Sequence, residues 1–182
     1  MITPEISSAQ KKKKKDEDRV ETIFSAYPQG FFVGSMRLGF EKLAGEKTGL
    51  HGIIGIGAGE YSTFLQVTDF TEIMAEFQPR FYVLRNTVTL DGPFVSPYVS
   101  FRYITFKDDV PIEPFGDRKA SAFEIGYLLG YQKVFYSHFV IGMYAGGGMG
   151  FPSGNSDLVD KIVNGYRKGV SPHVGLQLGI AF

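Results

Sequence analysis

Cysteine and tryptophan are absent from the 182 residues. Without cysteine there is no disulfide, no thiol nucleophile and no cysteine metal site. Histidine occurs only as His51, His138 and His173, in separate segments, and no two have the spacing of a metal-binding pair. Net charge is zero, with 19 basic and 19 acidic residues, so nothing draws the chain toward nucleic acid. No cofactor is implied. Long apolar runs are scarce too. Residues 134–156 lack Asp, Glu, Lys and Arg and are long enough to span a bilayer as a helix. Gly146-Gly147-Gly148 and Pro152 make helix unfavourable there. The stretch divides instead into a turn at Tyr136–His138 and a strand.

What the chain has in quantity is Gly, at 23, Phe at 17 and Tyr at 10. That suits many strands with aromatic belts at membrane interfaces. The last eleven residues give the pattern most clearly. Val174, Leu176, Leu178, Ile180 and Phe182 fall on every second residue, with His173, Gly175, Gln177, Gly179 and Ala181 between them. Period two makes a strand with one apolar and one polar face.

Eight strand-like segments follow from this reading, at about 20–28, 30–43, 49–61, 71–84, 93–107, 121–135, 139–151 and 171–182. Phe32, Met36, Leu38 and Phe40 oppose Ser35, Arg37, Gly39 and Glu41. Leu50, Ile54 and Ile56 oppose His51, Gly55 and Gly57. Ile73, Ala75, Phe77, Phe81 and Val83 oppose Glu72, Glu76, Gln78 and Arg80. Val95, Val99, Phe101 and Tyr103 oppose Ser96, Ser100 and Arg102. Phe123, Ile125, Tyr127, Leu129 and Tyr131 oppose Glu124, Gly126, Gly130 and Gln132. Phe139, Ile141, Met143 and Ala145 share a face in the seventh, and the first has no clean alternation. Pro79 and Pro97 lie on apolar faces, where local bulges are expected.

Connections alternate along the chain. Residues 44–48, 84–92 and 136–138 are short or moderate; 60–70, 108–120 and 152–170 are longer and more polar. A turn at Tyr27-Pro28-Gln29-Gly30 completes the parity. Short turns at one end and long loops at the other, with both termini beside the short turns, describe an antiparallel barrel with periplasmic termini. In the last long loop, Ser156 caps an expected short helix bearing Leu158, Val159, Ile162 and Val163, stopped by Asn164-Gly165. Residues 1–19 read as a separate disordered, charged tail, ahead of a barrel domain at 20–182. Ile6-Ser7-Ser8-Ala9-Gln10 resembles the end of a secretory signal. Lys11–Lys15 reads as a solvated leader or a contact for anionic headgroups.

A soluble barrel puts charge outside and oil inside. Here Arg37, Glu41, Glu76, Arg80, Arg102 and Glu124 share the face that carries the glycines, and the other face is aliphatic and aromatic. Those six residues are expected to form a structural polar network in the lumen. Buried charges need partners. A lipocalin-like soluble barrel is the competing fold. The expected fold is therefore all-β, an eight-stranded antiparallel up-and-down transmembrane β-barrel.

The motifs Ser35–Leu43, Pro79-Arg80-Phe81-Tyr82, Ser96–Tyr103 and Leu129–Phe135 resemble those of a small outer-membrane barrel family of unknown function in Gram-negative bacteria, similar in architecture to OmpA/OmpX-type and opacity-type barrels. The resemblance implies location and fold and lends no catalytic residue. The closing Phe182 resembles the carboxy-terminal signal read by the barrel assembly machinery.

Function is less legible. The expected role is non-enzymatic: structural, surface-contact or accessory-subunit, in the bacterial outer membrane. Outer-membrane lipid, the assembly machinery and a larger outer-membrane complex are the expected partners. A narrow channel is the alternative, although eight strands leave little bore. A lipid-modifying enzyme is a further alternative. Ser171 and His173, two apart on a strand, point the same way, with Glu60 or Asp157 as a third group.

Overall fold

The computed structural model describes residues 20–63, 66–83, 90–107, 119–136, 138–154 and 169–182. Side chains are described for most of these, apart from those of 60–68, 106–107, 154 and 169–170 and of Val33. The alternating segments become eight strands: β1 (Thr22–Ala26), β2 (Ser35–Leu43), β3 (Thr48–Thr63), β4 (Gln66–Tyr82), β5 (Gly92–Lys107), β6 (Lys119–Phe135), β7 (Phe139–Gly154) and β8 (Gly169–Ala181). Each pairs antiparallel with the next, and β1 pairs with β8, so the sheet closes into an up-and-down barrel. Closure pairs every strand with two neighbours, as a spanning sheet requires, although beside the short β1 and β2 the upper parts of β8 and β3 extend beyond their partners.

The polar faces point in and the apolar faces out. Leu38, Ile54, Ile73, Val99, Leu129, Ile141, Leu176, Leu178 and Ile180 are all exposed, while Glu41, Gln78, Arg80, Glu124 and Gln132 are fully buried. The outward band on β6 runs from Phe123 to Phe135, about 30 Å along the axis of a barrel with strands tilted near 40°. Exposed Phe81, Phe135, Phe139 and Phe182 mark its rim at the termini end, and Phe101, Phe123 and Phe151 mark the loop end. Among the described residues no helix is long and apolar enough to cross a membrane.

Four expectations need correction. The second strand starts at Ser35, because Pro28–Val33 forms a 3-10 helix. Pro28 at its start has no N–H to lose, and Gly34 ends it with a left-handed φ of 68°. Phe31-Phe32-Val33 reads equally well as strand, and only the Pro and Gly at its ends mark the difference. The segment 60–70 is mostly ladder, since β3 reaches Thr63 and β4 resumes at Gln66. Beyond the apolar band a hairpin needs backbone pairing and β-prone Tyr, Thr and Val, with no apolar face to reveal it. β6 and β7 likewise extend to Lys119 and Gly154.

The fourth correction concerns the prolines. No residue is inserted at Pro79 or Pro97: the β4–β5 register is the same on both sides, Phe77 opposite Val99 and Phe81 opposite Val95. Pro79 therefore faces Pro97 across a gap in the ladder. The N–H of Val83 bonds to Pro93 O, so the odd-numbered positions of β4 point their donors at β5. Both prolines thus fall at one hydrogen-bonded pair, and two missing donors become one defect. The buried Ser96 hydroxyl fills it, lying 2.8 Å from Pro79 O and 2.9 Å from Pro97 O.

The tail at 1–19 and the expected helix beginning at Ser156 lie outside the described residues.

Candidate functional site: the polar lumen

Inward polar residues form two tiers. The lower tier, at the termini end, is built on Arg80. Its guanidinium donates to Glu41 Oε2 at 3.0 Å, Gln132 Oε1 at 3.0 Å, Gln177 Oε1 at 2.9 Å and Gln78 Oε1 at 3.0 and 2.9 Å. It also lies 4.6 Å from the centre of the Phe94 ring. One side chain therefore ties β4 to β2, β6 and β8 across the bore.

Glu41 is the counter-charge. Its Oε1 accepts from Tyr82 OH at 2.7 Å, and its Oε2 accepts from Gln132 Nε2 at 3.3 Å. His51 Nδ1 stands 3.3 Å from the same Oε2, and His51 Nε2 is hydrogen-bonded to Tyr27 OH. A carboxylate only accepts, so Nδ1 carries the proton and Nε2 accepts from the tyrosine. Arg80 and Glu41 are both 0 % exposed, and their charges balance. Taking such a pair out of water is tolerable because almost every donor and acceptor has a partner.

The upper tier is less completely enclosed, with His173 and Arg102 partly exposed. Glu76 accepts from Gln78 Nε2, and Glu124 accepts from Tyr98 OH. His173 lies between them, 3.6 Å from Glu76 and 3.8 Å from Glu124, beside the rings of Tyr98 and Tyr144. Arg102 pairs with Glu72 at 3.3 Å. Arg37 donates to Ser35 Oγ at 3.2 Å, and among the described residues it meets no carboxylate.

The six residues anticipated in the lumen all face it, and four of them are connected: Gln78, bonded to both Arg80 and Glu76, joins the two tiers, while the Arg102 and Arg37 contacts lie outside that chain. Glu41 and Arg80 join directly. Glu76 and Glu124 are bridged by His173, Arg102 uses Glu72, and Arg37 stands apart. Gln78, Gln132 and Gln177 were on the polar face already; their role as ligands of one guanidinium was not visible.

The inward aromatics were missed altogether. Phe94, Tyr98 and Tyr144 are buried in the bore. Each lies over a glycine that is its register partner: Phe94 opposite Gly130, Tyr98 opposite Gly126, Tyr144 opposite Gly175. A Cβ on Gly130 would run into the Phe94 ring, one on Gly175 into the Tyr144 ring, and one on Gly126 into the β7 backbone at Gly147–Gly148 as well as the Tyr98 ring at 2.7 Å. Glycine is there because the ring opposite takes its side-chain space, as in aromatic coverage of strand glycines. A glycine within a strand was the signal; the register was needed to use it.

Ser171 and His173 both face inward, but no hydrogen bond joins them, and His173 turns to Glu76 and Glu124 instead. The side chain of Glu60 and all of Asp157 lie outside the described residues. Among the described residues no group of three or more His, Asp or Glu is placed to hold a metal ion.

No protein-family model matches the chain, and no curated protein matches it. Among solved structures it is similar to Acinetobacter baumannii CarO2, at 12 % identity and a TM-score of 0.44, over 90 % of this chain and 98 % of that one.

Proposed function

We propose that the chain is a non-conducting outer-membrane β-barrel with a structural, surface-contact or accessory-subunit role, its termini in the periplasm. The observation that carries this reading is the inverted distribution of side chains. A continuous apolar band with aromatic rims surrounds a lumen that encloses Arg80, Glu41, Glu76 and Glu124. In water such a band would be an apolar patch far larger than a soluble monomer exposes; in a bilayer it is the required surface. The Arg80 tier supports a closed bore, because four strands' side chains converge on one buried guanidinium.

The experiment is reconstitution of the purified chain into lipid vesicles and planar bilayers. The expected result is insertion as a protease-resistant barrel without conductance steps. Discrete steps from inserted protein would replace this reading with a narrow channel. A chain that remains in the aqueous phase would overturn the membrane assignment itself.

A further inference from the structure

The barrel wall is low at one place. β1 has five residues and pairs with β8 only through Ile23–Ala26 and Leu178–Ala181, although β8 begins at Gly169. On the other flank β2 ends at Ser35, opposite Gly57, although β3 continues to Thr63. Between β3 and β8 the wall is therefore notched, and the floor of the notch is the 3-10 helix at Pro28–Val33. The floor is fastened by Ser35 Oγ donating to Gly30 O at 3.3 Å and by the Ala58 N–H donating to Gly34 O at 3.0 Å.

The β8 side of the notch is not a template for another strand. Phe182 donates its N–H to Thr22 O, and Leu176 donates its N–H to Gln29 Oε1 at 3.2 Å, so even-numbered donors of β8 point to this side. By the same parity Pro172 falls at a donor position and has none to offer. Gln29 stands in for one peptide unit of the missing strand, and the proline blunts the rest.

The notch joins two surfaces of different chemistry. Outside it runs a groove of 360 Å³ lined by Phe31, Gly34, Ser35, Met36, Ile56 and Ala58. Phe31 and Phe32 beside it are 68 % and 90 % exposed, and Met36 and Ile56 belong to the outward apolar band. Inside lies Arg37, whose stem passes beneath the helix: a Cβ on Gly30 would sit 3.4 Å from Arg37 Cγ. Ser35 links the two, lining the groove and accepting from Arg37 Nε at 3.2 Å. An apolar groove continuous with the band, next to a guanidinium that meets no carboxylate among the described residues, fits a molecule with a hydrocarbon chain and an anionic head.

We propose that the notch binds a phosphate-bearing lipid of the surrounding leaflet, its acyl chain in the groove and its phosphate reaching Arg37 over the low wall. The inference rests on the membrane reading above. Guanidinium and phosphate make charge-assisted hydrogen bonds of the strongest kind available to a side chain.

The test uses the purified full chain in detergent micelles, with phosphatidic acid, diacylglycerol of the same chains, and inorganic phosphate as probes, and counts bound lipid by native mass spectrometry. Phosphatidic acid is expected to bind at least about tenfold more tightly than either half of the molecule alone, since a charged contact and an apolar one are made together. Arg37→Gln removes the preference over diacylglycerol, and Phe31→Ala weakens both lipids alike. Heat-dependent gel migration checks that each variant remains a folded barrel. Equal binding of phosphatidic acid and diacylglycerol, or no effect of Arg37→Gln, overturns the proposal in favour of ordinary annular lipid. Inorganic phosphate binding as tightly as the lipid overturns it in favour of an anion site. A barrel that inserts into vesicles yet shows no lipid preference loses only this inference; one that does not insert loses both.

Discussion

Arg80 and Glu41 concentrate the electrostatic cost of the molecule in one pair. Removing one partner leaves an uncompensated charge among side chains that no water reaches. Arg80→Ala is expected to destabilise the vesicle-inserted barrel by about 3–5 kcal/mol, the range for breaking a buried pair. Arg80→Met combined with Glu41→Gln is expected to recover at least about half of that, because both charges are gone. Urea unfolding in vesicles, followed by tyrosine fluorescence, reads the difference. A loss in the double variant equal to the sum of the two single losses would mean that the two charges act independently. The presence of Arg and Glu inside was legible in the sequence, since period two and a glycine-bearing face put them there. Their pairing was not. Arg80 lies 39 residues from Glu41 and 97 from Gln177, and only closure of the sheet brings such positions together.

At the scale of single elements, the Pro79–Pro97 gap shows what alternation alone misses. Two prolines on apolar faces suggested bulges, because each removes one ladder bond. Facing each other, they remove both bonds at one hydrogen-bonded pair and leave the register intact. Ser96 is the repair. Ser96→Ala would remove the single hydroxyl proton that Pro79 O and Pro97 O share and is expected to cost about 1–3 kcal/mol, whereas Ser100→Ala in the same strand does not touch the gap. Thermal unfolding of the two variants separates them; equal losses would remove Ser96 from this role. The strands themselves were readable where lipid-facing apolar residues marked every second position. They were unreadable where the ladder rises beyond that band, as at Ser62–Thr63 and Gln66–Phe70, and where three apolar residues in a row coil into the 3-10 helix. Phe94, Tyr98 and Tyr144 were missed for a related reason: an aromatic suits either face of such a strand, and only the glycine across from it decides.

For the whole molecule, the distribution of charge between wall and bore makes a direct demand on the solvent. Ile54 and Leu129 lie on the outward face. Ile54→Arg or Leu129→Arg is expected to cost about 2–4 kcal/mol in a bilayer, the range for a cation near the midplane of a barrel wall. The same change on a protein bathed in water would stay within about 0.5 kcal/mol. Unfolding in vesicles measures it, and a loss under that lower figure in both variants would place the outer face in water.

On the closed-bore reading proposed above, the two-tier filling makes the interior a blind well. His173 is 17 % exposed, whereas His51, deeper along the same axis, is 0 % exposed behind the Arg80 girder. A small acylating reagent added to the folded protein should label His138, exposed on the short 136–138 turn at the termini end, first, His173 more slowly and His51 last, with peptide mass spectrometry reporting each position. Labelling of His51 as fast as His173 would mean that the floor of the well is open. A cylinder that looks symmetric in its strands thus has a top and a bottom to any solute trying to pass.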